Sequence, residues 1–183
     1  MNRLLTSAVP ALLLFGVLAG CSTEQVAGSP TTVSENSVVT TTSAAPSEIP
    51  GVPQPTADGD CPYLSSPDVA AANGQLVRKV RLSADKPNPA CFFYANATEI
   101  QLSVWVYAGD AKVAKSIVDR AAPIAQSSPA SAPEGWTGGS LVSPEGAVYA
   151  VAKGVDAVIV TSNQEQTIKA RRIAESVIEK LGL

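Results

Sequence analysis

No aromatic residue occurs between positions 22 and 58. Ser, Thr and Pro dominate that stretch: Ser29-Pro30-Thr31-Thr32, then Thr40-Thr41-Thr42-Ser43, then Pro46, Pro50, Pro53 and Pro55. Such a composition cannot bury enough apolar surface to offset the entropy lost on ordering the chain. It confines folding to the residues C-terminal to it and predicts a disordered tether over residues 21–58, stiffer toward its proline-rich end. Extended at roughly 3 Å per residue, that tether reaches on the order of 100 Å. Its Thr and Ser clusters also permit O-glycosylation. The remaining length suits one domain, residues 59–183.

Met1-Asn2-Arg3 opens the chain with one positive charge, and Leu4 to Leu18 is mostly apolar. The run falls short of the ~20 apolar residues that span a membrane and has the flanks of a secretory signal. It closes on Leu18-Ala19-Gly20-Cys21. These four residues, with the run before them, resemble the lipobox of bacterial lipoproteins. The resemblance implies that residues 1–20 are a cleaved signal peptide and that the Cys21 thiol receives a diacylglycerol. Cys21 then becomes the new N-terminus, carrying palmitate-type acyl chains. Each buried methylene contributes roughly 0.8 kcal/mol, so two or three chains hold a protein stably. The expected location is the cell membrane, with the domain lipid-anchored on the extracytoplasmic side. The alternative is an ordinary secretory signal with a chance cysteine.

Charge narrows the function classes. Residues 59–183 hold 12 acidic and 12 basic side chains. A neutral domain without a basic block is a poor partner for nucleic acid, whose phosphates need clustered Lys and Arg. Lys169, Arg171 and Arg172 fit the solvent face of a helix instead. The chain has no histidine. That removes the commonest general base and metal ligand, and with them Ser-His-Asp catalysis and imidazole zinc sites. No metal or cofactor is expected.

With Cys21 assigned to lipid, Cys61 and Cys91 remain. In an exported protein an isolated pair is most simply one disulfide. Closing a loop of about 30 residues would add roughly 3 kcal/mol in the chain-entropy account. The alternative, a redox pair, would favour a Cys-x-x-Cys motif, which is absent.

Periodicity supplies the elements. Ser66 as N-cap and Pro67 in the first turn start a short helix that stops at Asn73-Gly74. Leu76–Leu82 and Cys91–Tyr94 read as strands. In the strand Ile100–Tyr107 the even positions are all apolar, so one face is buried. The odd positions, with Trp105 and Tyr107, form a mixed face for some other element to cover. Gly109-Asp110 caps a helix whose apolar stripe is Val113, Ala114, Ile117, Val118 and Ala121. Residues 124–134 read as a loop. Ala147–Ala152 and Asp156–Thr161 form an antiparallel hairpin. In the last helix Ala170, Ile173, Ala174, Val177, Ile178 and Leu181 make one stripe, and Ser162 with Glu165, or Asn163 with Gln166, fits a capping box. The sum is a single α+β domain: a mainly antiparallel sheet of about 5–6 strands, with three helices over its inner face.

Several stretches also resemble an uncharacterised family of actinobacterial lipoproteins: Cys61-Pro62-Tyr63-Leu64, Asn73-Gly74-Gln75, Ala90-Cys91-Phe92-Phe93-Tyr94, Gly135-Trp136-Thr137-Gly138-Gly139, the run Gly146–Gly154, and the run Asn163–Arg172. The resemblance covers nearly all of residues 60–183. It implies an actinobacterial envelope as the setting and carries no catalytic residues. The layout is also similar to PsbP-like envelope lipoproteins.

Without histidine, an enzyme here would rely on carboxylates, and Glu134, Glu145 and Asp156 lie near turns. Gly135-Trp136-Thr137-Gly138-Gly139 is the most suggestive segment, since glycines around an aromatic let a ligand approach and Gly138-Gly139 can present bare amides. The alternative is a bulge or bent edge strand with Trp136 in the core. Trp105, Trp136 and Tyr149, with Gly138 and Gly139, make a candidate ligand surface for glycan or lipid. The expectation is a non-catalytic binding or structural module at the cell envelope, held by its lipid and partnering an envelope protein, glycan or lipid. The alternatives are an envelope hydrolase or transferase using carboxylates, and a lipid or glycan carrier.

Overall fold

The computed structural model describes residues 48–183; the expected signal peptide, Cys21 and the tether up to residue 47 lie outside them. The elements are β1 (Ala57–Asp58), α1 (Ser66–Asn73), β2 (Lys79–Leu82), β3 (Cys91–Tyr94), β4 (Ile100–Ala108), α2 (Ala111–Ala121), β5 (Ser128–Ala130), β6 (Thr137–Ser143), β7 (Gly146–Lys153), β8 (Asp156–Ser162) and α3 (Thr167–Leu181). The strands form one sheet in the order β1-β2-β3-β4-β8-β7-β6-β5. Every neighbouring pair is antiparallel.

The α+β class and the three helices stand. The strand number does not: the sheet has eight strands rather than 5–6. The additional ones, β1, β5 and β6, carry no periodic signal, and β1 and β5 are short edge strands. β1 has two residues and β5 three, one of them Pro129. β6 reads Thr-Gly-Gly-Ser-Leu-Val-Ser, which lacks the alternation of a half-buried strand. β5 also falls within the stretch expected to be a loop.

Strand alternation splits the buried side chains between two faces. In β4, Leu102, Val104 and Val106 join the larger core, with Val158 and Val160 of β8, Tyr149 and Val151 of β7, Val69 of α1 and Ala170, Ile173, Ala174 and Val177 of α3. The odd positions face the other way. Trp105 and Tyr107 pack with Ala150, Ala157 and Ile159 against Val113, Ala114, Ile117 and Val118 of α2. So α1 and α3 cover one face and α2 the opposite one, which corrects the expectation of three helices on a single inner face. The amphipathic stripe of α2 told that it packs, but not on which side. That is set by the turn at Gly109, whose amide donates to the Val155 carbonyl at 3.0 Å.

Two helix starts differ from expectation. Ser65, not Ser66, caps α1, its hydroxyl oxygen accepting from the Asp68 amide at 3.2 Å. Gly74 ends the helix with φ 77° and donates to the Ala70 carbonyl at 2.9 Å. α3 begins only at Thr167, and Gln166 flanks it without a side-chain cap. The Ser162 and Asn163 side chains expected to cap it bond to α1 and the loops beside it instead. Asp110 does cap α2, accepting from the amides of Lys112 and Val113 at 2.9 and 3.0 Å.

The fold also begins earlier than position 59. Ala57 and Asp58 pair with Leu82 and Arg81. The Thr56 amide and hydroxyl both donate to the Leu82 carbonyl, at 2.8 and 3.1 Å. Arg120 of α2 donates to the Pro50 carbonyl at 2.8 Å. Residues 48–58, expected within the tether, are therefore joined to the domain as a strap. Their ladder bonds use backbone groups, which the absence of aromatic side chains does not remove. Cys61 and Cys91 are joined by a disulfide with Cα atoms 5.7 Å apart, 30 residues apart in sequence. Cys91 is fully buried at the start of β3.

Candidate functional site

The residues expected to form a ligand surface do not form one. Trp136 and Tyr149 are 2% and 4% exposed and belong to the core beneath α3. Trp105 lies across the sheet, half-buried on the α2 face. The Tyr149 hydroxyl is spent internally, donating to the Ala132 carbonyl at 2.7 Å. Burial pushes its ionisation up, and the Ala132 amide, donating to the phenol oxygen at 3.3 Å, partly offsets this.

Gly138 and Gly139 do not present bare amides. β6 is paired on both sides at these residues, with Ala130 and Pro129 of β5 and with Val151 and Ala150 of β7. Their small size serves close approach. A Cβ on Gly138 would run into the Ala150 carbonyl, and one on Gly139 would lie 2.6 Å from Ser127 Oγ and 2.9 Å from Ala122 Cβ. Trp136 does lie in the core, but β6 is an interior strand with regular pairing on both sides rather than a bulge or a bent edge.

At the end of the sheet where β4 starts and β8 stops, polar side chains gather. Ser162 donates its hydroxyl to Asn73 Oδ1 at 2.7 Å. Asn73 Nδ2 donates to Gln101 Oε1 at 3.1 Å and to Asn163 Oδ1 at 3.4 Å. Gln101 Nε2 donates to the Leu76 carbonyl at 2.9 Å. Asn163 Nδ2 reaches Gln75 Oε1 at 3.2 Å and Glu99 Oε1 at 3.0 Å. Lys169 Nζ donates to the Asn73 carbonyl at 3.1 Å. Asn73, Gln101 and Ser162 are all 0–1% exposed. Each partner found here spares a buried polar atom the roughly 1–3 kcal/mol cost of going unpaired. The chemistry is that of a clasp: it joins α1, β4, β8 and α3. The stretches Asn73-Gly74-Gln75 and Asn163–Arg172 carried the family resemblance, and here they touch. The capping signal at Ser162 and Asn163 obscured this role.

Carboxylates collect in one open basin of about 400 Å³, lined by Glu134, Glu175 and Glu179 with Trp136, Lys153 and Ile178. Glu134 and Glu179 are exposed. Glu175 is paired with Arg171 at 2.8 Å, which raises the guanidinium further above its ordinary range. Glu145 and Asp156 line no part of this basin. A Ser143 hydrogen bond holds the exposed Glu145 carboxyl below its usual range. Among the described residues no group of three or more Cys, Asp or Glu is placed to hold a metal ion.

The other notable surface lies where the strap meets the α2 face. The Arg120 guanidinium sits over the Trp105 ring, 5.9 Å from its centroid, and binds the Pro50 carbonyl. Beside Pro50 and Gly51 a hollow of about 210 Å³ is bounded by Trp105, Tyr107, Lys86, Pro87 and Asn88. Trp105 was singled out from the sequence; Arg120 and Pro50 were not, because no local pattern links residues 70 positions apart.

These features define a disulfide-stapled α+β domain: one antiparallel sheet covered by helices on both faces, fastened at one end by a polar clasp. The chain belongs to the family described as Domain of unknown function (DUF2020), which matches residues 47–183. That match starts at the strap rather than at position 59. No curated protein matches the chain.

Proposed function

We propose that this protein is an exported lipoprotein, anchored to the cell membrane through Cys21 and displaying residues 48–183 on the extracytoplasmic side as a non-catalytic binding or structural module. The observation that carries the reading is the Cys61–Cys91 disulfide. Such bonds form and persist outside the reducing cytosol. It agrees with the Leu18-Ala19-Gly20-Cys21 pattern and the apolar run before it. The stretch from Cys21 to residue 47 serves as the spacer between lipid and domain. The resemblance to actinobacterial lipoproteins makes an actinobacterial envelope the setting, with an envelope protein, glycan or lipid as partner. The test is fractionation of cells producing the native chain and Cys21→Ser. The native chain partitions into membranes and carries the mass of its acyl chains; the variant is released while its domain keeps the disulfide. Unchanged membrane partitioning of the variant sinks the reading.

A second reading has one observation behind it, the basin of Glu134, Glu175 and Glu179. Carboxylate hydrolases need one acid whose proton is retained near neutral pH through burial or a like charge. Here two of the three are exposed and the third is ion-paired with Arg171. The binding module is therefore preferred. A carrier of lipid or glycan ranks third, because fully buried Ala114, Ala170 and Ala174 bring the helices close against the sheet.

A further inference from the structure

We propose that the groove formed by Trp105, Tyr107, Arg120 and Pro87 is a docking site for a proline-rich strand, entered here by Pro50 and Gly51 of the chain's own strap and open to the same segment of a second copy. The inference deepens the binding-module reading by naming a partner. It rests on the domain and not on the lipid.

The strap has the character of a ligand. Pro50, Pro53 and Pro55 are half-buried, while Gly51, Val52 and Gln54 between them are exposed. Its two aliphatic side chains, Ile49 and Val52, are 43% and 64% exposed, so it contributes no aliphatic side chain to the core. From residue 48 to 55 it belongs to no strand or helix. A proline-rich segment of this kind is already extended in solution, so docking it costs little further entropy.

The groove has the character of a receptor. Extended proline-rich segments are held by aromatic walls and by donors aimed at their strongly accepting carbonyls. Trp105 and Tyr107 supply the walls, and Arg120, over the Trp105 ring, supplies the donor to the Pro50 carbonyl at 2.8 Å. The 210 Å³ hollow beside Pro50 and Gly51 is space the strap leaves unfilled. A core element would have closed it, since interiors pack at crystal-like density.

The strap is continuous with β1, whose Thr56, Ala57 and Asp58 are fastened to Leu82 and Arg81. The strap can thus leave the groove by turning about Thr56 without opening the sheet. Its own groove then lies vacant, and the freed strap offers residues 48–55 to a neighbour. Because the self-contact is intramolecular, it wins at low concentration; exchange between copies grows with their density, as in other swaps of identical segments.

Two full-chain variants with different C-terminal tags, purified in mild detergent, test this by complementation. Pro50→Gly with Pro53→Gly spoils the strap and keeps the groove. Trp105→Ala with Arg120→Ala spoils the groove and keeps the strap. On mixing, each is expected to capture the other at least about five-fold above its capture of itself. As a second measurement that does not need the groove variant to fold, a fluorescent peptide of residues 48–58 is titrated into the strap variant and the native chain. It is expected to bind the strap variant at least about ten-fold tighter, because the native strap competes at high effective concentration. Absence of peptide binding to the strap variant overturns the proposal. So does self-capture by the strap variant equal to its capture of the partner, which would place the contact elsewhere.

Discussion

The hydroxyl of Ser162 and the side-chain oxygen of Asn73 are 2.7 Å apart, joined across 89 positions of chain and sealed from solvent. One residue ends β8 and the other ends α1. Their bond is the centre of a network that also takes in Gln101 and Asn163. Asn73→Ala leaves Ser162 and Gln101 short of a partner, and should cost about 1–3 kcal/mol. Ser162→Ala should cost a similar amount, and the double variant less than the sum, because the two share one network. Urea midpoints of the four proteins check this; strict additivity would show the bond to be incidental.

Reduction of the Cys61–Cys91 bond should lower stability by roughly 3 kcal/mol, since the freed chain regains the entropy of its 30-residue loop when unfolded. The measurement is a denaturant curve with and without reductant, with thiol content followed by mass after alkylation. Equal midpoints for the oxidised and reduced protein would contradict it.

Tyr63 predicts an alkaline limb. Its hydroxyl donates to the Pro89 carbonyl at 2.8 Å in the core, and burial pushes its ionisation well above the ordinary 10.0. A raised folded-state value means the contribution is complete below about pH 10 and falls as pH rises beyond it, because only the unfolded chain ionises easily there. Tyr63→Phe should be less stable near neutral pH by about 1 kcal/mol, and its stability should decline less steeply above pH 10. Parallel declines in the two proteins would remove Tyr63 from the alkaline response.

Gly138→Ala should be strongly destabilising, because the added methyl meets backbone rather than a movable side chain. A cost of about 1–3 kcal/mol is expected from overpacking of this kind. Gly51→Ala is the matched control: nothing lies within 4 Å of its added Cβ, and its effect should stay within about 0.5 kcal/mol. Thermal melts of both variants, each against the native chain, make the comparison. A neutral Gly138→Ala would mean that β6 can move away from β7.

The interior of the sheet was readable in advance because period-two alternation and period-3.6 stripes are local. Leu102, Val104 and Val106 declare a buried face without reference to any partner, and so do Ile173, Ala174 and Val177 in α3. The Cys61–Cys91 pairing came from elsewhere: with Cys21 assigned to lipid, those two cysteines were left for each other. What was missed is non-local. β1 and β5 are strands only because β2 and β6 offer them backbone partners. The Ser162 and Asn163 pattern fitted a helix cap until Asn73, Gln75 and Glu99 competed for those side chains across the fold. Aromatic residues suggested a common surface, but Trp105 and Tyr149 sit on opposite faces because one strand position separates the two directions.

The last strand in sequence lies near the middle of the sheet. Within the sheet, β8 is the strand that joins the half β1 to β4 to the half β5 to β7. Neither half has its neighbour until residues 156–162 are available. A chain released stepwise can pair β1 to β4 and β5 to β7 among themselves, but the two groups join only when β8 arrives. A product terminated before residue 156 lacks the strand that joins the two halves of the sheet.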